Sequence, residues 1–497
     1  MVNVASSPQC VDSACALWLA TGLPGPFLSR LKISRHPDSA INSSFRLGHV
    51  AQTAIGLSGL SAAQFHFLRT GIEQEVTVDA RHAVLEFRSE AWYTLDDRLP
   101  GGIWDSVAGL YKTKDECFVR IHTNFPHHRK GILSILNVPD SPETSRETVQ
   151  SALRTWNAVE FETEAASRGM CATAMRSFAE WSLHPQARAL EGIPPVQIIK
   201  IGEAPKREIS GTFARPLDGI RVLELSRVLA GPVAGRTLAA HGADVLWITS
   251  PRLPSLPNID VDTSRGKRTA QLDLTVPAEH EKLKELASSS DVFLQAYRPG
   301  GLEEKGFGVR ELVALRPGIV VANLTAWGWE GPWKDRRGFD SLVQTASGFN
   351  VSEAEAYAEF AGDQGPLEPR PLPMQALDHA AGYLLAFGIN AALCKTMTEG
   401  GSWEVRVSLA AVGKWIRSMG KLMPEEAFGS AAKPFPLKVL PLDPEIAALS
   451  VLWRSAGGRT MTALRHAAIL SGTPVIEGGS GQAPMALDVH SAEWLPK

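Results

Sequence analysis

Pro216-Leu217-Asp218-Gly219-Ile220-Arg221-Val222-Leu223-Glu224-Leu225, followed within a few residues by Val228-Leu229-Ala230-Gly231-Pro232, sets out a strand, a turn and the start of a helix. Asp218-Gly219 is a turn signal, and the mostly apolar run Arg221 to Leu225 behind it reads as a buried strand. Pro232 to Ala240 then reads as a helix. The same alternation continues outward, with strands at Asp244 to Ile248, Asp291 to Leu294 and Ile319 to Leu324, and a helix at Ala278 to Ser288. Strands that alternate with helices predict a parallel, doubly wound sheet over residues 216–415.

The chain has 497 residues, too many for one ordinary domain. Hydrophobic residues make up 44% and charged residues 21%, a globular composition. A formal net charge of -3 without a long basic run argues against nucleic acid as the main partner. The longest nearly apolar run, Ala380 to Cys394, is too short to span a bilayer and reads as a buried helix, so no membrane partner is expected. The N-terminus lacks a signal-peptide pattern. Five cysteines without CxxC spacing fit reduced thiols, hence a cytoplasmic location.

Three further blocks follow the opening one in fixed order: Gly242-Ala243-Asp244-Val245, Arg265-Gly266-Lys267-Arg268 and Pro371-Leu372-Pro373-Met374-Gln375-Ala376-Leu377-Asp378. The series resembles the family III CoA-transferases, the group that also contains acyl-CoA racemases. The resemblance spans about residues 50–490 and is strongest over 216–410. It implies an α/β fold, a doubly wound parallel-sheet large domain with a smaller α/β domain. It also implies coenzyme A as acyl-CoA substrate, a carboxylic acid as the second substrate, and no metal.

Asp378 stands just before the apolar helix. From the residues alone it is either a first-turn capping acid or a reactive carboxylate, since unpaired N–H groups and the dipole favour an acid there. The resemblance matches it to the family's nucleophilic aspartate. A carboxylate of this kind attacks a thioester, forms a mixed anhydride and then an aspartyl-CoA thioester, dividing one hard exchange into easier steps. His379 leaves the helix about 100° away and reads as packing or surface.

Val228 and Ala230 lie in the first strand-to-helix turn, where small residues let backbone approach a ligand; the pattern is not GxGxxG, so no dinucleotide is implied. Arg265, Lys267 and Arg268 offer cationic donors suited to the pyrophosphate and 3′-phosphate of CoA, or form a solvated charged turn. Tyr297-Arg298-Pro299-Gly300 resembles the family's Phe-Arg-Pro-Gly, with Ala296 where Asn is usual. The resemblance thus implies CoA contacts from Val228, Ala230, Arg265, Lys267, Arg268, Tyr297 and Arg298, with Ala230, Arg265, Lys267 and Arg298 around one groove at the carboxyl ends of the strands. Gly338-Phe339-Asp340 departs from the racemases' Gly-His-Asp. Phe339 cannot move a proton, which speaks against epimerase or racemase chemistry. Asp340 reads as structural, bonding backbone of the turn that follows it. His122, Asn124, His127 and His128 lack the geometry of a metal site and read as surface or domain-contact residues.

A helix–strand unit occurs twice. Ser61-Ala62-Ala63 to Gly71 and Glu75-Val76-Thr77-Val78 align with Asn390-Ala391-Ala392 to Gly400 and Glu404-Val405-Arg406-Val407, position 390 against 61 and 405 against 76, a spacing of 329. The expected organisation is a partial first copy of the large domain over 1–104, a small α/β domain over 105–200 and a linker over 201–214. The CoA-binding large domain follows over 215–420, with a return segment over 421–497. Within these, Thr148 to Trp156, Ala172 to Trp181 and Thr460 to Leu470 read as helices and Phe118 to His122 as a strand. The module 105–200 is expected to pack on the large domain as its missing small domain. A non-catalytic descendant stays open as an alternative. So do two assemblies: a monomer mimicking an interlocked dimer, or a homodimer.

Overall fold

A computed structural model describes residues 8–208, 211–455, 457–480 and 483–496. Its centre is a seven-stranded sheet ordered Arg268–Gln271, Asp244–Thr249, Arg221–Leu225, Val292–Gln295, Val320–Thr325, Ser402–Ser408 and Gln197–Gly202. The first six are parallel and the last is antiparallel. Numbered along the chain, the parallel strands run 3-2-1-4-5-6, the doubly wound arrangement expected. The direction of winding reverses between Arg221–Leu225 and Val292–Gln295, so a crevice opens beyond the carboxyl ends of those two strands. Strands buried on both faces carry near-continuous apolar runs, which made them readable from sequence.

The helix Ala376–Thr398 fills the centre and is buried along most of its length. Among the described residues it is the one helix long and apolar enough to cross a membrane, but 89% of its apolar window is inside the protein. It packs on Leu47–Thr70. Asn390 Nδ2 donates to the Ser58 carbonyl at 3.2 Å and to Ser61 Oγ at 3.3 Å, so the two aligned positions of the repeat meet face to face.

The spacing of 329 residues also recurs in the element bounds. Helices Leu47–Thr70 and Ala376–Thr398 start 329 residues apart, and so do Ala80–Glu86 and Leu409–Ser418. Each repeated strand has a parallel neighbour, Leu31–Ile33 or Val320–Thr325, and an antiparallel one, Ala468–Leu470 or Gln197–Gly202. Asp378 in the second unit corresponds to His49 in the first. His49 is buried with Nδ1 3.2 Å from Asp38, and the turn Pro37–Ala40 fills the adjoining space.

Residues after 105 form a module with its own core, a three-stranded antiparallel sheet of Gly109–Lys112, Phe118–Ile121 and Ala172–Ala174 flanked by short helices. Three local expectations are corrected. Ala172–Ala174 is a strand, because pairing with Phe118–Ile121 outweighs helix propensity; the helix there is Phe178–Leu183. Thr460–Leu464 and Ala468–Leu470 are strands, not one helix, and the first pairs with Ser450–Arg454 and Thr94–Leu95. Gln197–Gly202, divided in the expectation between module and linker, is an edge strand of the main sheet. Of the glycine-rich stretch 478–482, residues 481 and 482 lie outside the described residues.

Candidate active site

The crevice is a cavity of about 290 Å³. Its floor is the turn from Arg227 to Gly231, beyond the first parallel strand, and Ala296 to Arg298, beyond the fourth. Leu324 to Ala326 and Arg337 to Phe339 form one side, with Asp378 and Leu409. Phe125, His127 and His128 of the 105–200 module close the other. A second hollow of about 230 Å³ adjoins it, sharing Phe125, Arg227, Val228 and Leu253 and reaching Trp247, Thr249 and Gln271.

Val228 has φ +70°, a left-handed conformation that a β-branched residue adopts only under restraint. It throws the chain into helix Ala230–Ala240, whose N-cap residue Leu229 supplies no capping side chain. The first-turn amides of that helix stand at the cavity with the positive end of its dipole. Gly382, one turn beyond Asp378, permits the close approach of the two helices: a Cβ there would lie 2.7 Å from the Ala230 carbonyl oxygen.

Asp378 is 9% exposed, on the first turn of its helix. The capping acid of that helix is a different residue. Asp340 is fully buried and its Oδ2 accepts the backbone N–H of Leu377 at 2.7 Å and of Asp378 at 2.9 Å, while Gln344 donates to Oδ1. Asp340 therefore bonds backbone as expected of a structural acid, but at a helix 36 residues ahead and not in its own turn. Among the described residues, the Asp378 carboxyl accepts no hydrogen bond. Burial, then the charges of Asp340 and Glu90, hold its proton affinity well above the usual carboxylate range. Burial also lifts Asp340, to about 6.

Three guanidinium groups line the cavity: Arg227, Arg298 and Arg337. Among the described residues none has a carboxylate within ion-pair distance. Arg227 lies over the Phe125 ring at 4.5 Å and donates to the Pro254 carbonyl. Arg337 donates to His128 Nε2 at 2.8 Å. Burial and the neighbouring cations push His128 down to about 3, so its ring is neutral and accepts. His122 stacks flat on Phe339, centroids 3.8 Å apart and planes at 2°, and burial pushes it likewise down to about 3. These histidines join the module to the large domain, the second of the two roles, surface or domain contact, read from sequence.

Of the sequence-predicted site, the cavity gathers Asp378, Val228, Ala230, Tyr297 and Arg298. Arg265, Lys267 and Arg268 stand elsewhere, so the expectation of one groove for Ala230, Arg265, Lys267 and Arg298 is corrected to Ala230 and Arg298 alone, and Arg268 is likewise away from the cavity. Arg265 is buried, bound to Asp262 at 2.8 Å and to the Leu464 carbonyl at 2.7 Å. Lys267 is buried under the turn, paired with Glu224 at 2.8 Å and donating to the Pro232 carbonyl at 2.8 Å. Arg268 pairs with Asp244 at 2.7 Å on the edge strand. Each cation already has its counter-charge inside the fold. Arg227 and Arg337 were missed, although each adjoins a motif singled out from the sequence, Val228 and Gly338.

Residues 217–436 match the model of CoA-transferase family III. This segment belongs to that family. An acetyl-coenzyme A transferase of Hypoxylon pulicicidum is 28% identical over 63% of this chain and 55% of its own length. An acyl-CoA transferase of Gibberella moniliformis is 27% identical over 73% of this chain and 68% of its own. A succinate–glutarate CoA-transferase of Agrobacterium fabrum is 32% identical over 40% and 52%. The chain thus spans between about half and two thirds of the length of these relatives. The family segment carries the whole crevice except the wall supplied by Phe125, His127 and His128.

Proposed function

We propose that the chain moves CoA from an acyl-CoA to a free carboxylic acid, with Asp378 as nucleophile. One observation carries the reading: the carboxyl of Asp378 faces a cationic cavity without a partner, while a second buried acid does the helix capping that would otherwise explain an aspartate there.

An Asp378 oxygen attacks the thioester carbonyl, the C–S bond breaks, and CoA leaves as thiolate from a mixed anhydride. The thiolate attacks the Asp378 carbonyl, the anhydride C–O bond breaks, and the first acid leaves as carboxylate. The acceptor carboxylate then attacks the aspartyl-CoA thioester, and the same two steps run in reverse. No proton changes hands at the α-carbon, which suits Phe339 where a racemase would need an acid or base. First-turn amides of Ala230–Ala240 are suited to the tetrahedral oxyanion. Arg227 and Arg298 are suited to CoA phosphates along the joined hollows, with Val228, Ala230 and Tyr297 bringing backbone and an aromatic ring beside the cofactor.

We read the chain as one unit mimicking an interlocked pair, since the 105–200 module closes the cavity of the second copy. The reading includes a cytoplasmic enzyme without metal. Acids to be tried include succinate and glutarate, after the Agrobacterium relative's name. The test is incubation with acyl-CoAs and acceptor acids, followed by intact-mass and peptide mapping. The expected result is one CoA or acyl adduct per chain, on the peptide holding Asp378. An adduct on another residue, or none with demonstrated transfer, overturns the mechanism.

A further inference from the structure

We infer that Glu90 and His379, drawn from the two halves of the chain, form a positioning pair for Asp378, so that the reduced first half shapes the site it does not itself contain. The inference rests on Asp378 being the nucleophile. Helix Ala376–Thr398 is pinned at its start from two directions. Asp340 holds the amides of residues 377 and 378 from one side. From the other, His379 Nε2 lies 3.1 Å from Glu90 Oε2, with both side chains buried. The His379 ring also stacks on Phe87, centroids 5.5 Å apart and planes at 22°. Glu90 and Phe87 both precede the 105–200 module.

Neighbouring helical residues point about 100° apart, so fixing the ring of 379 fixes the rotation of the first turn and the exit direction of 378. The pair is not inherited from the repeat: the residue 329 positions before His379 is Val50. Glu90 also acts by charge, since it raises the proton affinity of Asp378 alongside burial and Asp340. The charged and titratable groups around Asp378 are Asp340, Glu90 and His379 at its helix, and Arg227, Tyr297, Arg298, Arg337, His127 and His128 across the cavity. Removing Glu90 shifts that balance towards the cations. A lower proton affinity enlarges the ionised share of Asp378 while weakening each carboxylate as a nucleophile, so the expected loss of rate comes from lost positioning.

The test uses full-length Glu90→Gln and His379→Phe, the latter keeping the stack on Phe87 while losing the hydrogen bond. Exchange is measured as kcat and KM. The Asp378 carboxyl is titrated by infrared spectroscopy with 13C-aspartate, its band assigned from Asp378→Asn. Expected for Glu90→Gln are a kcat loss of about tenfold to a hundredfold, an acyl-CoA KM within about twofold of wild type, and Asp378 titrating about one unit lower. His379→Phe should lose kcat similarly, and the double variant should be no worse than the singles. Unchanged kcat and titration in folded Glu90→Gln, or additive losses, overturn the pair. Should Glu90→Gln fail to fold, Glu90→Asp keeps the charge with a shorter reach: reduced kcat with unshifted titration supports the pair, and wild-type kcat overturns it. Should wild type exchange CoA with no acid, the nucleophile reading falls, and the Asp378 titration alone decides the pair.

Discussion

Replacing Asp378 should abolish turnover and at the same time stabilise the protein. Were Asp378 the helix cap, Asp378→Ala would cost about 1 kcal/mol. The cap is Asp340, which holds both first-turn amides whatever stands at 378. What Asp378 contributes instead is a buried carboxyl beside two other acids, with its proton affinity raised by burial, Asp340 and Glu90. A raised folded pKa means that the native state holds the proton more tightly than the unfolded chain. The group's share of stability is therefore fully present below the unfolded carboxylate pKa, near 4, and is lost as pH climbs towards the folded value. At neutral pH the loss is of the size of one uncompensated buried polar group, about 1–3 kcal/mol. Asp378→Asn and Asp378→Ala should recover it, raising Tm by a few degrees at pH 7.5 and less as pH falls towards 4. Exchange should drop by at least about 10³-fold in both, since neither side chain forms and breaks the anhydride. Chromatographic separation of the two acyl-CoAs gives the rate, and urea unfolding at pH 4.5, 6 and 7.5 gives the stability. Near-normal turnover by Asp378→Asn refutes the nucleophile, and a loss of about 1 kcal/mol in Asp378→Ala refutes the division of labour with Asp340.

Arg298→Ala removes an exposed guanidinium with no ion pair among the described residues; acyl-CoA KM should rise about tenfold, as for a lost charged hydrogen bond, while stability moves by less than about 0.5 kcal/mol. Lys267→Met should do the opposite, leaving Glu224 buried and unpaired at a cost of about 3–5 kcal/mol in urea unfolding, with normal KM in the folded fraction; a raised KM at unchanged stability would return Lys267 to the CoA site. His122 is held neutral by burial first, then by Arg120 and His128, with its pKa down at about 3. The unfolded chain thus binds the extra proton below about pH 6.5, and stability falls as pH drops from there towards 3. His122→Phe keeps a ring on Phe339 and should flatten that limb by about 2 kcal/mol between pH 6.5 and 5; an unchanged slope in urea midpoints counts against a neutral buried His122.

The main sheet was legible because its strands are buried on both faces and announce themselves as apolar runs between turns. Thr460–Leu464 did not: one of its two neighbours, Thr94–Leu95, lies far away in sequence, and its short alternation offers little to separate strand from helix. Charge was legible but its counter-charge was not: Arg265, Lys267 and Arg268 resemble phosphate ligands until Asp262, Glu224 and Asp244 are found folded onto them. The same blindness hid the partner of Asp340, which is a pair of amides on another helix.

On the proposed reading as two copies of one unit, the halves differ at the site. The strand-to-helix connection that holds Phe339 and Asp340 in the second copy, Thr325 to Ala376, shrinks in the first to the short passage from Ile33 to Leu47, and the turn Pro37–Ala40 occupies the space beside His49. The first copy has neither the carboxylate, nor the second acid that caps its helix, nor the parallel strands whose ends make the crevice. Yet it is packed against the second half. Helix Leu47–Thr70 covers one side of Ala376–Thr398, Ser58 and Ser61 bind Asn390 on that face, and Glu90 Oε2 lies 3.1 Å from His379 Nε2 beside Asp378. Without residues 47–70, one side of an almost wholly buried apolar helix, the one that carries Asp378, would face water.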